Sequence, residues 1–134
     1  MESTLKKLDR IHGRRGSESI LLVEDEAPTR QVTAMVLKRL GYRVQEASNA
    51  EEALRVAEDP LEKIDLLMTD VMMQGMSGCE LAEMLQSRDA GLKVLFMSGR
   101  SCAHLKIVRP GRAFLQKPFT IDAVFKKLRE VLDS

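Results

Sequence analysis

Apolar residues follow two rhythms along this chain. Ile20–Val23, Leu66–Thr69 and Val94–Met97 are short, nearly unbroken apolar runs, as parallel strands buried on both faces require. Arg43–Ala47 alternates polar and apolar, which suits an edge strand, and Ala113–Gln116 reads as a further short strand. Between the strands the spacing turns helical. Ala27–Leu40 carries Val32, Met35, Val36 and Leu40 at helical intervals, with Gly41 as its stop. Asn49, with Glu52 three residues on, opens a second helix. Ser77 with Glu80 opens a third, running to about Ser87. Thr120 caps a last helix whose Val124, Leu128 and Val131 face inward. Strands alternating with helices in this way predict an α/β fold, a parallel sheet with helices on both faces.

One crossover breaks the rhythm. Between Ser98 and Ala113 the chain is short, and Pro110-Gly111 cannot continue a helix. About nine residues, Ser101–Arg109, remain for helix, or ~13 Å of rise. A five-residue strand is ~17 Å long. The fourth helix is therefore expected to be two turns or fewer, or irregular.

Composition narrows the class. The 134 residues are the size of one domain. Lys and Arg number 21 against 20 Asp and Glu, which gives no case for nucleic-acid binding. Residues 1–18 are polar and basic and read as an N-terminal extension, leaving 19–134 as the domain. No apolar run reaches the ~18 residues of a membrane helix, and MESTLKKLDRIHGRR lacks the apolar stretch of a signal peptide. A cytoplasmic location follows as an expectation. Cys79 and Cys102 have no paired spacing and read as reduced, structural thiols, and His12 and His104 have no metal-ligand partners in spacing. Met68 reads as core filler; Met72, Met73 and Met76 read as loop packing.

In open parallel sheets ligands sit beyond the C-terminal ends of the strands, so the residues that follow each strand matter most. Glu24, Asp25 and Glu26 follow the first, Asp70 ends the third, Ser98 follows the fourth and Lys117 the fifth. Singly, each has an ordinary reading as a helix-terminal charge, a turn residue or a surface group. Together they form a carboxylate cluster whose repulsion a cation relieves. Oxygen donors of this kind suit magnesium, which often shares a site with phosphate. Adding a hydroxyl and an ammonium gives a site for phosphoryl transfer to a carboxylate.

From Ser19 to Leu132 the chain resembles the receiver domain of two-component response regulators. LLVEDE at the first strand, MTDVMM with GMSG around the third, LFMSG at the fourth and FLQKPF at the fifth carry the resemblance, and the wording is closest to receivers attached to hybrid histidine kinases. The resemblance implies a doubly wound five-stranded parallel sheet of flavodoxin-like order 2-1-3-4-5. It implies Asp70 as phosphoacceptor, with Mg2+ (or Mn2+) held by Glu24, Asp25, Asp70 and the backbone carbonyl of Met72. Ser98, Gly99 and Lys117 would bind phosphate, and Ser98 with Phe114 would form the switch. Met72 and Arg100 would tune a slow self-dephosphorylation, and Lys117-Pro118 would be cis. The implied partners are a histidine kinase or histidine phosphotransfer protein and a downstream target, without nucleic acid or membrane, the chain being a monomer or weak dimer. It would be no enzyme beyond catalysing its own phosphorylation and dephosphorylation. Gln74 stands where such receivers usually carry proline.

Other classes fit less well. A haloacid dehalogenase-type phosphatase needs an acid two residues after its nucleophile, where Met72 stands, and a flavin carrier needs a hydroxyl-rich loop in place of VEDEAP. A non-phosphorylated pseudo-receiver acting as a protein-interaction module is the remaining alternative.

Overall fold

The structure is a computed structural model that describes residues 16–99 and 112–134. In chain order its elements are β1 (Ser19–Val23), α1 (Ala27–Arg39), β2 (Arg43–Ala47), α2 (Ala50–Ala57), β3 (Leu66–Asp70), α3 (Gly78–Arg88), β4 (Lys93–Ser98), β5 (Phe114–Gln116) and α4 (Ile121–Leu132). The strands form one parallel sheet in the order β2-β1-β3-β4-β5. This is the doubly wound, flavodoxin-like arrangement. The expected short fourth helix, and with it Arg100, Cys102 and His104, lies outside the described residues, as does His12.

β1 and β3 are buried along their whole length, so successive side chains feed two separate cores. Ile20, Leu22, Leu66, Met68, Leu95 and Met97 face one side, where α1 and α4 cover them with Leu37, Leu40, Val124, Phe125 and Leu128. Leu21, Val23, Leu67, Val94 and Phe96 face the other, under Ala50 and Ala53 of α2 and Leu81, Ala82 and Leu85 of α3. Met68 is fully buried.

The caps are those the sequence calls for. The Asn49 side chain accepts from the Glu52 N–H at 2.8 Å, Ser77 from Glu80 at 3.2 Å and Thr120 from Ala123 at 3.0 Å. α1 departs from its expected face. Thr33, Ala34 and Leu37 are buried, whereas Val32 and Met35 are more than half exposed. Thr33 and Ala34 are short, so this stripe lets the helix backbone lie close on the sheet. The bulkier Val32–Met35 stripe is left toward solvent.

Candidate functional site

The strand register gathers the site. Val23 stands opposite Thr69, so Glu24 and Asp70 are neighbours at the end of the β1–β3 pair. Asp70 is opposite Met97, which brings Ser98 one step beyond. Ser98 is opposite Gln116, and the Lys117 N–H donates to the Ser98 carbonyl at 2.7 Å. Four residues distant in sequence thus reach one edge because each follows an aligned strand.

The side chains converge there. One carboxylate oxygen each from Glu24, Asp25 and Asp70 lie within 4.8 Å of one another. Glu24 and Asp70 are buried, and Asp25 faces solvent. The Lys117 ammonium bridges the two buried acids, donating to Glu24 Oε2 at 2.7 Å and standing 2.7 Å from Asp70 Oδ1. The second contact is an ion pair off the hydrogen-bonding direction, so Asp70 Oδ1 is buried without an aligned donor. Among the described residues one cation serves this group of three carboxylates, and a buried acceptor oxygen is left short of partners. Hard oxygen donors with uncompensated charge fit a small divalent cation such as Mg2+.

Electrostatics separates the roles. Burial, together with its contact to Glu24, pushes the Asp70 carboxyl up to about 8 against the opposing pull of Lys117. Burial also opposes ionisation of Glu24, but the hydrogen bonds to Asp70 and Lys117 outweigh it and hold that carboxyl below its ordinary value. For Lys117, burial disfavours the charge, yet the two carboxylates keep its pKa above that of a free lysine. The two neighbours thus favour the charged forms of Glu24 and Lys117, whereas burial beside Glu24 disfavours the charged form of Asp70.

The remaining candidates flank this centre. Ser98 is buried, and Gly99 follows it. Phe114 is half-buried and leans on the core under α2 and α3. Met72 is 59% exposed beside Asp70, whereas Met73 and Met76 pack partly into that same core. Gln74 is exposed beside Gly75, whose φ of 79° is the left-handed value a turn there requires. The Lys117-Pro118 peptide is cis. A cleft lined by Asp25, Ser48, Asn49, Met73 and Gly75 lies on the Asp25 side of the site.

Two residues that the sequence did not single out prove to shape the site. Arg30 on α1 donates from Nη1 to the Glu24 carbonyl at 2.9 Å. Gly78, the first residue of α3, lies so close to the Asp70 carbonyl that a Cβ would stand 1.9 Å from that oxygen. A glycine at a helix start where alanine would propagate the helix better was the available signal for Gly78. Arg30 had none, being one basic residue among several on an amphipathic helix.

The family model of the response regulator receiver domain matches residues 20–129. The chain is 32% identical over 131 residues to the sensor kinase CckA of Brucella abortus (strain 2308), covering 96% of this chain and 14% of that protein. It is 31% identical over 118 residues to the response regulator receiver protein CpdR of the same organism, covering 84% of this chain and 95% of that one. Among solved structures, the receiver domain from the hybrid histidine kinase CckA superposes with a TM-score of 0.72 at 37% identity, covering 85% of this chain and 98% of that one. The chemotaxis protein CheY4 of Vibrio cholerae superposes with a TM-score of 0.77 at 25% identity, covering 87% and 100%. The chain spans 14% of the CckA kinase and about half of the transcriptional regulators it matches, such as PhoB of Pseudomonas aeruginosa, at 52% of that protein's length.

Proposed function

This chain belongs to the response regulator receiver domain family of two-component signalling, and from that premise we propose that it accepts a phosphoryl group on Asp70. The observation that carries the proposal is the geometry at Asp70. A buried carboxylate with an undersatisfied oxygen is flanked by two further acids and one ammonium, all at the C-terminal edge of the sheet. The donor we propose is the phosphohistidine of a histidine kinase or phosphotransfer protein. The receiver within CckA, described as a hybrid histidine kinase, supports that class. An Asp70 carboxylate oxygen attacks phosphorus; the phosphorus–nitrogen bond breaks as the phosphorus–oxygen bond forms. The imidazole nitrogen keeps the electron pair and takes up a proton.

The residues divide the work. Asp25 and Asp70, with Glu24 and the Met72 carbonyl, would hold Mg2+. When bound, the ion supplies positive charge that favours ionised Asp70 and the charge on the transferring oxygens. Lys117 exchanges its bridge between Glu24 and Asp70 for a phosphoryl oxygen. The Ser98 hydroxyl donates to another, with the Gly99 backbone beside it. Ser98 and Phe114 together then relay the change to the surface around β5. Met72 has no group that could orient an attacking water, so the phosphoprotein should persist for minutes or longer. Residues 1–18 are read as an extension and 19–134 as the receiver itself. The pseudo-receiver reading has less support, because each charged position of the acceptor site is filled.

Labelled acetyl phosphate or a phosphorylated kinase should label the wild-type protein in Mg2+. Asp70→Asn, or wild type in EDTA, should stay unlabelled. Labelling of Asp70→Asn equal to wild type would sink the assignment.

A further inference from the structure

Glu24 and Asp70 are fixed by burial and by Lys117, but Asp25 is held differently. It faces solvent, and among the described residues no hydrogen bond or ion pair restrains its carboxylate. Its backbone direction is set by the peptide plane that joins it to Glu24; the plane before that one is held by the sheet, and this one by Arg30. The Glu24 N–H donates to the Ala47 carbonyl of β2 at 3.1 Å, and the Glu24 carbonyl accepts from Arg30 Nη1 at 2.9 Å. Past the end of β1 that carbonyl has left the strand ladder, so the guanidinium takes the place of a ladder donor.

Arg30 is well placed to hold still. Its side chain is only 18% exposed, and its Nε lies 3.5 Å from Glu46 Oε1 on β2. Its own N–H donates to the Glu26 carbonyl at 2.9 Å in the first turn of α1. From a backbone fixed in the first turn of α1, the planar fork therefore joins the end of β1 to the edge strand, two contacts that a single-point ammonium cannot reproduce together.

We propose that Arg30 is a positioning residue for the cation: by fixing the Glu24 carbonyl it aims the Asp25 carboxylate at the ion. The proposal rests on the functional reading above. Groups that orient metal ligands from behind typically matter 10–100-fold in affinity. An exposed ligand with no other restraint belongs at the lower end, about tenfold.

The test is a MgCl2 titration followed by the backbone amide signals of the β1–α1 loop, on wild type, Arg30→Gln, Arg30→Lys and Glu46→Gln. Thermal unfolding of each is recorded in EDTA. Arg30→Gln should raise the Mg2+ dissociation constant about tenfold, with Arg30→Lys restoring at most part of it. Glu46→Gln should stay within about twofold, because it leaves the Arg30–Glu24 bond in place. Melting midpoints without Mg2+ should change far less than affinity does. Mg2+ affinity within twofold of wild type in Arg30→Gln overturns the proposal; if that variant does not fold, Arg30→Lys decides on the same criterion. An equal loss in Glu46→Gln also overturns it, because the effect would then come from the edge strand. A wild-type protein that binds no Mg2+ overturns the functional reading itself, and the proposal with it.

Discussion

A methyl group on Gly78 would sit 1.9 Å from the Asp70 carbonyl oxygen and 2.9 Å from its carbon, both backbone atoms that no rotamer change can move aside. Helix propensity favours alanine there by ~1 kcal/mol, but overpacking against main chain typically costs 1–3 kcal/mol. Gly78→Ala should therefore lower stability by about 1 kcal/mol in urea unfolding and slow the labelling of Asp70. An unchanged denaturation midpoint would show that α3 can move away freely. Asp70 itself carries a pH-dependent cost. Its carboxyl titrates at about 8 in the fold against 3.8 in the unfolded chain. The folded state thus binds that proton more tightly, and the destabilisation opens as pH rises past 3.8 and is complete above about 8. Without Mg2+, Asp70→Asn should be more stable than wild type by ~1–2 kcal/mol at pH 8, with the difference closing toward pH 4. Thermal melts across that range measure it. Equal melting at pH 8 would mean that Lys117 already neutralises the site.

At the scale of elements, α4 is tied to the start of β1. Arg129 grips Glu18 with both terminal nitrogens, at 2.9 and 3.0 Å, and reaches Asp133 at 2.6 Å and the Tyr42 hydroxyl at 3.3 Å. The Tyr42 ring lies where any side chain on Gly16 would go, and the Gly16 N–H donates to the Leu40 carbonyl. The hydrogen bond from Arg129 brings the Glu18 carboxyl down to about 2 from 4.5. A depressed carboxyl stabilises the fold fully above 4.5, and that stability is lost as pH falls toward 2. Because the pair is partly exposed, its worth is about 1 kcal/mol. Glu18→Gln should lose that amount at pH 7 and should unfold in acid with a shallower pH dependence. Acid titrations of the two proteins that run parallel would remove the clamp from the account.

For the whole molecule, the question is how a change at Asp70 reaches a partner. The stretch from Ser98 to Arg112 is short in sequence, and most of it lies outside the described residues. The change is expected to pass through Arg100–Leu105 and the strand at Phe114. On the proposed acceptor role of Asp70, beryllofluoride, a phosphoryl mimic, should then leave the protein monomeric in light scattering, or dimeric through another face. A beryllofluoride-induced dimer abolished by a charge at Leu105 would refute this.

Much of this molecule was written in short-range pattern. Apolar runs gave the strands, cap residues such as Asn49, Ser77 and Thr120 gave the helix starts, and the residues after each strand gave the acidic site. These are local signals, because strand burial, capping and the chain's exit from a strand each depend on a few neighbouring residues. The sequence alone could not say that Lys117 bridges Glu24 and Asp70, nor that burial beside Glu24 pushes the Asp70 carboxyl up, since both depend on register between strands far apart in the chain. Nor could it say that α1 buries Thr33 and Ala34 while exposing Val32 and Met35. The helical period marks two possible faces there, and the choice falls to the one whose small side chains fit close against the sheet. Arg30 and Gly78 belong to the same class. Their part rests on single contacts to the main chain of another element, and only the packed tertiary structure creates those contacts.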